Sequence, residues 1–548
     1  MLTSRPNRNV RAPLLWLILP FAAGIAVPHA WGAFAPWGVG LGITLAAMVS
    51  GIFASRSSPR IWSATMLLGL FGAGSLHYTV QRQHLPDWDQ LPEREVAINV
   101  EITRIFGGSE TERFQNFLGN ITGASSPVGD LLGQSIQVRM RRPQHNPKVV
   151  QRGAILRVIG QLQPLPAALP GDSFISYLID SGHNFRLRQA RWLGTVTQPS
   201  RYAQLRQRLK LRASKILSND LEHHPDIVGA LRAMLLGEKH ALPPYAHNLF
   251  LRSGTMHLFA ISGLHIGIIA LTINGALRLV RIPRFAAFVI GSAILLGYVD
   301  LIGLTPSAIR AWIMITCFHG ARVLRAPPNS VAAISASAMI VLLIDPMQLF
   351  SAGFQMSYSI VFILLLYGVP LADFCQERFR PRRDLPRASL RSFQRFLQDR
   401  LESVIAAIAL TWSASLTGAI AGVGIFGWFS PFAAMANLLL VPIAWWVING
   451  GFGSIIVGFL GITPIALLLN HATGMSLWIM FRLLEGPLSF TGGFEAQFRT
   501  DWWCEGGMIA VLVTTVATHE WRNNSQLWRW WAPTGITVLW LVMGLRLP

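Results

Sequence analysis

The sequence predicts a polytopic α-helical membrane protein of about 11–13 spans with an extracytoplasmic OB-like β domain inserted after the third helix. Three observations carry that expectation. Of 548 residues, 52% are hydrophobic and only 13% charged. Apolar runs of about 18 residues or more recur along the chain, each long enough to cross a hydrocarbon core of roughly 30 Å. Between residues 81 and 200 the pattern changes to polar, alternating segments punctuated by Gly107-Gly108, Gly123, Gly133 and Gly153.

The N-terminus places Arg5, Arg8 and Arg11 ahead of an apolar stretch from Leu14 to Val27. Ala33-Phe34-Ala35 offers a signal-cleavage site, but apolar segments near Gly38–Phe53 and Ile61–Tyr78 follow at once and favour an uncleaved first helix. Residues 1–80 thus read as three spans. The β domain, 93–200, reads as five strands at Val96–Phe106, Phe114–Ile121, Gln134–Arg142, Ala154–Leu165 and Phe185–Val196, with a short helix Phe174–Ile179 after Pro170-Gly171-Asp172. A small OB-type barrel and a generic five-stranded sheet both suit that count. The linker, 201–248, opens with Arg201–Ser218, a basic amphipathic helix suited to a membrane surface, and continues with a helix near Asp226–Leu236.

From Leu249 the chain returns to the membrane, with a transmembrane domain over 249–500 and terminal helices over 501–548. Spans are expected near 257–280, 284–303, 305–321, 329–345, 349–371, 401–423, 430–449, 451–470, 506–519 and 530–547; residues 471–484 suit a short span or an interfacial helix. With the N-terminal arginines cytoplasmic, this count puts Arg278/Arg281/Arg284, Arg322/Arg325 and the cluster from Arg378 to Arg395 inside, as the positive-inside rule demands.

The net charge is +20, and lysine occurs only at Lys148, Lys210, Lys215 and Lys239. Positive-inside accounts for the loop arginines but not for Arg139, Arg141, Arg142, Arg152, Arg157, Arg186, Arg188 and Arg191 in an external domain. Glu93, Glu95, Glu101, Glu110 and Glu112 gather in its first part. Such a surface attracts nucleic-acid phosphates or anionic lipid headgroups. Cys317, Cys375 and Cys504 are isolated, which predicts neither a disulfide nor a metal centre.

Polar residues at membrane depth are costly and mark candidate sites. His257 and His265 flank Ser262-Gly263. On a continuous helix they would be about 12 Å apart, too far to share a metal, so Ser262-Gly263 is a candidate break. Arg310 begins a span after Pro306-Ser307, with Asp300 its nearest carboxylate in sequence; a structural ion pair and a phosphate contact are both open. Gln355, Ser357 and Asn437 add polar side chains to other spans. No GxxxxGK[ST] is present, so energy for any transport comes from elsewhere. A Ser262 nucleophile with His257 or His265 as base would need the local helix unwound.

These residues also carry a resemblance. Leu236-Gly237-Glu238, Gly254, His257-Leu258, Ala260-Ile-Ser-Gly-Leu-His265, Pro306-Ser307 with Arg310-Ala311, Asp345-Pro346, Gly353-Phe-Gln355 with Ser357, and Asn437-Leu438 with Pro442 look like the ComEC competence-domain pattern, in its order. The N-terminal spans and the β domain with Pro170-Gly-Asp-Ser-Phe174 are similar to that family's OB-bearing region. The resemblance implies a bacterial inner-membrane channel that takes one strand of transforming DNA into the cytoplasm. It implies no cofactor. As partners it implies single-stranded DNA, membrane lipids, a periplasmic DNA receptor and a cytoplasmic helicase or single-strand-binding protein. Many such proteins add a metallo-β-lactamase-like domain with an HxHxDH-type cluster. His223-His224-Pro225-Asp226 is not that motif, so a separate nuclease or no nuclease step is expected. An intramembrane Ser/His enzyme on a lipid-linked substrate and a transporter of another anionic solute are the alternatives.

Overall fold

The computed structural model describes residues 13–31, 37–54, 58–82, 88–106, 113–124, 131–142, 150–166, 174–325, 329–379, 391–486, 494–500, 502–521 and 528–546. Arg5, Arg8, Arg11, Ala33-Phe34-Ala35, Pro170-Gly171-Asp172, Glu110, Glu112 and the loop arginines Arg380, Arg382, Arg383 and Arg387 lie outside them. Two compact units divide the chain: 1–212 with 276–354, and 213–275 with 355–548.

In the first unit, α1 (Pro13–Trp31), α2 (Trp37–Ala54) and α3 (Pro59–Arg82) form an apolar helical set in which α1 and α2 both pack on α3. The α1–α3 crossing is backbone-close: a Cβ on Gly24 would stand 2.0 Å from the Phe71 carbonyl oxygen. Small residues at such crossings let backbones approach where no hydrophobic drive exists in lipid.

The β domain is a closed five-stranded barrel, in keeping with an OB-like domain. Its strands are β1 (Arg94–Ile105), β2 (Phe114–Ala124), β3 (Ser135–Arg141), β4 (Ile155–Pro164) and β5 (Phe185–Thr197), in the order β1-β2-β3-β5-β4. All neighbours are antiparallel except β3 and β5, which are parallel. Period-two alternation turns Val96, Ile98, Val100, Ile102, Val138, Met140, Leu156, Val158 and Leu187 inward, where all are buried. Each such side chain contributes about 1.5–3 kcal/mol by burial, and closure leaves no unpaired edge. Trp88 fills the barrel core and donates from Nε1 to the Leu165 carbonyl at 3.0 Å. The short helix α4 (Phe174–Asp180) lies between β4 and β5.

The unit also holds the start of α5 (Arg201–Ser218), then α9 (Arg284–Leu301), α10 (Pro306–Val323) and α11 (Ser330–Ile344), with α10 packed on both neighbours. Asp345 ends α11 and caps a 3-10 turn, Pro346–Phe350, accepting from the Met347 N–H at 3.1 Å.

The second unit holds α6 (Pro225–Leu236), α7 (Pro244–Arg252), the start of α8 (Gly263–Leu279), and most of α12 (Ala352–Ile363). It continues with α13 (Val369–Phe379), α14 (Ser392–Phe426), α15 (Ala433–Phe459), α16 (Thr463–Glu485), α17 (Trp502–Trp521) and α18 (Trp528–Gly544). A π-turn at Leu364–Gly368 joins α12 to α13 just before Pro370, whose ring and missing N–H interrupt a regular ladder.

Five helices among the described residues are long and apolar enough to cross a membrane: Arg284–Leu301, Ala352–Phe379, Ser392–Phe426, Ala433–Phe459 and Thr463–Glu485. Shorter apolar helices occupy Trp16–His29, Val39–Ile52, Gly263–Leu279, Ser330–Ile344 and Trp502–Thr518.

Two expected span boundaries are corrected. Segments 430–449, 451–470 and 471–484 are not three elements but two helices, and the break falls at 460–462. Gly450 and Gly451 do not end α15; they sit inside it as packing notches. A Cβ on Gly451 would stand 2.1 Å from Leu235 Cδ1, and one on Gly450 2.5 Å from Thr473 Cγ2. The expected span from 257 begins only at Gly263, because residues 259–262 leave the helix.

Candidate functional site

The barrel places Arg139, Arg141, Arg157, Arg186 and Arg188 on one outer face. Arg139 and Arg141 point outward from β3 on either side of buried Met140, Arg157 from β4 between Leu156 and Val158, and Arg188 from β5 beyond Leu187. Register brings them together: Gln137 faces Arg186 across β3–β5, while Gln163 and Gln161 face Arg186 and Arg188 across β4–β5. With strands about 4.8 Å apart, β3, β5 and β4 present exposed Arg139, Arg141, Arg188, Gln161 and Arg157 on one side, with Arg186 half-buried and Gln137 buried beside it. Arg142 lies at its end, just past β3, and is half-buried.

Arg186 donates through Nε to Gln163 Oε1, and Gln163 Nε2 donates to Glu93 Oε1 at 2.6 Å. Burial, then the neighbouring Arg188 charge, holds the Arg186 guanidinium below its usual pKa, and Glu93 opposes both. The glutamines and Glu93 orient these cations without neutralising the face. Glu95 lies beside Gln161 on β1 and borders it.

In the second unit, α7 ends at Arg252 and the chain turns at Gly254, whose φ of +71° suits glycine. A Cβ there would also stand 2.7 Å from Ala433 Cβ at the start of α15. The chain then makes a 3-10 turn, Met256–Leu258, and enters α8 through Ser262-Gly263. The Ser262 carbonyl accepts the first helical bond from the Ile266 N–H at 3.3 Å, which makes Ser262 the N-cap.

His265 is then the third helical residue, where a capping box places a side chain that reaches back. Its Nδ1 stands 3.0 Å from Ser262 Oγ and accepts from the Ser262 N–H at 3.4 Å. The His265 ring is fully buried, whereas His257 is exposed; the break brings the two rings within electrostatic range. No carboxylate engages the buried Nε2 of His265 among the described residues. No cluster of three or more His, Cys, Asp or Glu able to hold a metal occurs among them either.

Of the other sequence-predicted residues, Gln355, Ser357 and Asn437 are half-buried in this unit. Asn437 lies one turn beyond Ala433 on α15, and its Oδ1 is buried without a partner among the described residues. Ser307 and Arg310 belong to the first unit.

Arg310 is 3% exposed. Of the two readings left open for Arg310, the Asp300–Arg310 pair does not form: Asp300 instead accepts from Tyr202 Oη at 2.8 Å and pairs with Arg206 at 3.2 Å, both on α5. Arg310 donates from Nη2 to the Gly353 carbonyl at 2.7 Å. A Cβ on Gly353 would stand 3.1 Å from Nη2, so a bare backbone lets the guanidinium lie against it. Sequence reasoning missed both Gly353 as a partner and the α5 anchor on Asp300. The signal for the anchor was Arg206 in a helix otherwise read only as a surface element.

A family model described as competence protein matches residues 234–544. Over 142 residues the chain is 32% identical to ComE operon protein 3 of Bacillus subtilis, covering 26% of this chain and 18% of that protein. Over 317 residues it is 23% identical to an uncharacterized protein of Aquifex aeolicus, covering 57% of this chain and 65% of that one. The chain therefore aligns with less than two thirds of either relative's length. No solved structure matches it.

Proposed function

This chain belongs to the competence protein family, and we propose that it is an inner-membrane channel passing single-stranded DNA into the cytoplasm during natural transformation. The observation that carries this reading is the β3–β5–β4 face. Arg139, Arg141, Arg157, Arg186 and Arg188 converge there in a domain where positive-inside gives them no purpose. Phosphates neutralise such a face and release counterions, a sequence-independent attraction suited to DNA of any origin.

In this reading Arg142 extends the face. The positions that line the route or hold its helices in shape are Ser307 and Arg310 in one unit, and His257, Ser262, Gly263, His265, Gln355, Ser357 and Asn437 in the other. A periplasmic DNA receptor delivers the strand, a cytoplasmic helicase or single-strand-binding protein draws it in, and a separate nuclease is a further partner. Membrane lipids surround the helices.

The test is uptake of labelled DNA in cells lacking the gene, complemented with wild type or with the triple change Arg139→Glu, Arg141→Glu, Arg188→Glu. Entry restored by wild type and not by the inserted variant supports the channel. Uptake indifferent to the gene overturns it.

The Ser262 Oγ···His265 Nδ1 contact of 3.0 Å favours a second reading, a Ser/His enzyme acting on a lipid-linked substrate. The same contact is a helix cap, and no carboxylate orients the ring among the described residues. Labelling of Ser262 by a fluorophosphonate would support the enzyme; absence of labelling in the folded protein leaves the cap.

A further inference from the structure

The barrel surface carries a second feature besides its arginines. At the end of β1 the Arg104 guanidinium lies 5.4 Å from the centroid of the Phe106 ring, and its Nη1 donates to Tyr177 Oη at 3.0 Å. Phe106 meets Phe174 edge-to-face with centroids 5.4 Å apart. Phe174 and Tyr177 lie near parallel, 24° between planes and 6.0 Å between centroids.

Both rings come from α4, which is pinned from beneath by Leu178 and Ile179 packed on Leu118 and Leu165. Their outer sides stay open: Phe174 is 49% exposed and Tyr177 37%. The rings are thus rigidly mounted yet unburied, in contrast to Phe117 and Phe185, which the same barrel buries completely.

This cluster is continuous with the arginine face. Arg104 is the register partner of Leu118 on β2, and Asn116, two residues before Leu118, is the partner of Arg139 on β3. Arg139 itself lies over the Phe114 ring at 4.8 Å. Aromatic rings and cations therefore alternate around one side of the barrel, from α4 across β1 and β2 to β3.

We propose that Phe106, Phe174 and Tyr177, held by Arg104, form a stacking platform for unpaired bases, while the phosphates of the same strand run on the β3–β5–β4 arginines. The proposal rests on the reading of this chain as a DNA channel and adds the selectivity for single strands. Base pairing and stacking in a duplex hide the faces of the bases, so only an unpaired strand can offer them to the rings. The arginines attract either form, because both carry the same phosphates.

The experiment uses the full chain in nanodiscs of neutral phosphatidylcholine. Binding of a labelled oligothymidylate of about 20 nucleotides and of a duplex of equal length is followed by anisotropy across a salt series. The double variant Phe174→Ala, Tyr177→Ala is expected to lose about tenfold or more in single-strand affinity, with duplex affinity and salt slope unchanged. Unchanged duplex affinity guards against a folding defect in the double variant; Tyr177→Phe, which keeps the ring but loses the acceptor for Arg104, is expected to lose less than the double variant.

Unchanged single-strand affinity in the double variant overturns the platform. If the Arg139/Arg141/Arg188 charge reversal still weakens both ligands and flattens the slope, the DNA reading survives that loss. If neither variant changes binding, both fall. Single-strand affinity unchanged together with quenching of a Phe174→Trp reporter by brominated lipid overturns the platform in favour of a bilayer anchor.

Discussion

Arg310 Nη2 donates to the Gly353 carbonyl at 2.7 Å, joining the first turns of α10 to the residue that opens the Gly353-Phe-Gln segment. A charged donor on a backbone carbonyl in a nearly buried position is worth about 1.5–3 kcal/mol. Arg310→Ala is therefore expected to lower the thermal midpoint by about 1–3 degrees and to abolish uptake. Gly353→Ala is expected to act in the same direction, less strongly, by crowding the guanidinium. Normal uptake in an inserted Arg310→Ala protein would remove Arg310 from the transport route.

The Ser262–His265 pair separates a cap from a catalytic dyad. A glutamine at the third helical position can make the same return bond to the N-cap N–H. His265→Gln is expected to keep uptake near wild type, whereas Ser262→Ala is expected to cost about 1 kcal/mol of stability. The check is uptake together with thermal melting of both variants. Complete loss in a stably folded His265→Gln protein points to chemistry at the imidazole.

Charge reversal on the barrel has a quantitative signature. For single strands, each neutralised phosphate contributes about 0.7 to the slope of log affinity against log salt. Changing Arg139, Arg141 and Arg188 to Glu is expected to reduce that slope by about 2 and to weaken binding at low salt most. An unaltered slope in a salt titration of the full chain assigns the face to lipid headgroups.

Asp300 ties the start of α5 to α9, and Tyr202 reports on it. The hydrogen bond to Asp300, then its charge, then slight burial raise the Tyr202 phenol above its usual 10.0. The raised value means the neutral phenol is the form the folded state favours. Its contribution is complete below pH 10 and fades as pH rises through the folded value. Asp300→Asn is expected to bring the phenolate absorbance of this group to lower pH and to speed proteolysis near Arg201. A Tyr202→Phe difference titration identifies the band; no shift in Asp300→Asn would show that the contact does not form in the membrane.

The five strands and α5 lie where alternation and charge patterning place them, because a half-buried strand and an amphipathic helix write their periods directly into the chain. The break before Gly263 is likewise visible in Ser262-Gly263 amid an apolar run. The ends of α15 are not. Asn449-Gly450-Gly451 looks like a turn, and only Leu235 and Thr473 against those glycines reveal that the helix continues.

By itself, the amino-acid sequence determined that this chain is apolar enough for a membrane, that a β domain interrupts it, and that the domain carries unexplained arginines. Composition and local periodicity depend only on neighbours along the chain. Tertiary structure alone decided that β3 runs beside β5, so that Arg139 and Arg188 share a face, that Asp300 goes to Arg206, and that Arg310 goes to Gly353. Those pairings join residues 43 to 94 positions apart where the bonds are direct. Which partner a buried charge finds depends on which backbones approach it, and no local pattern encodes that approach.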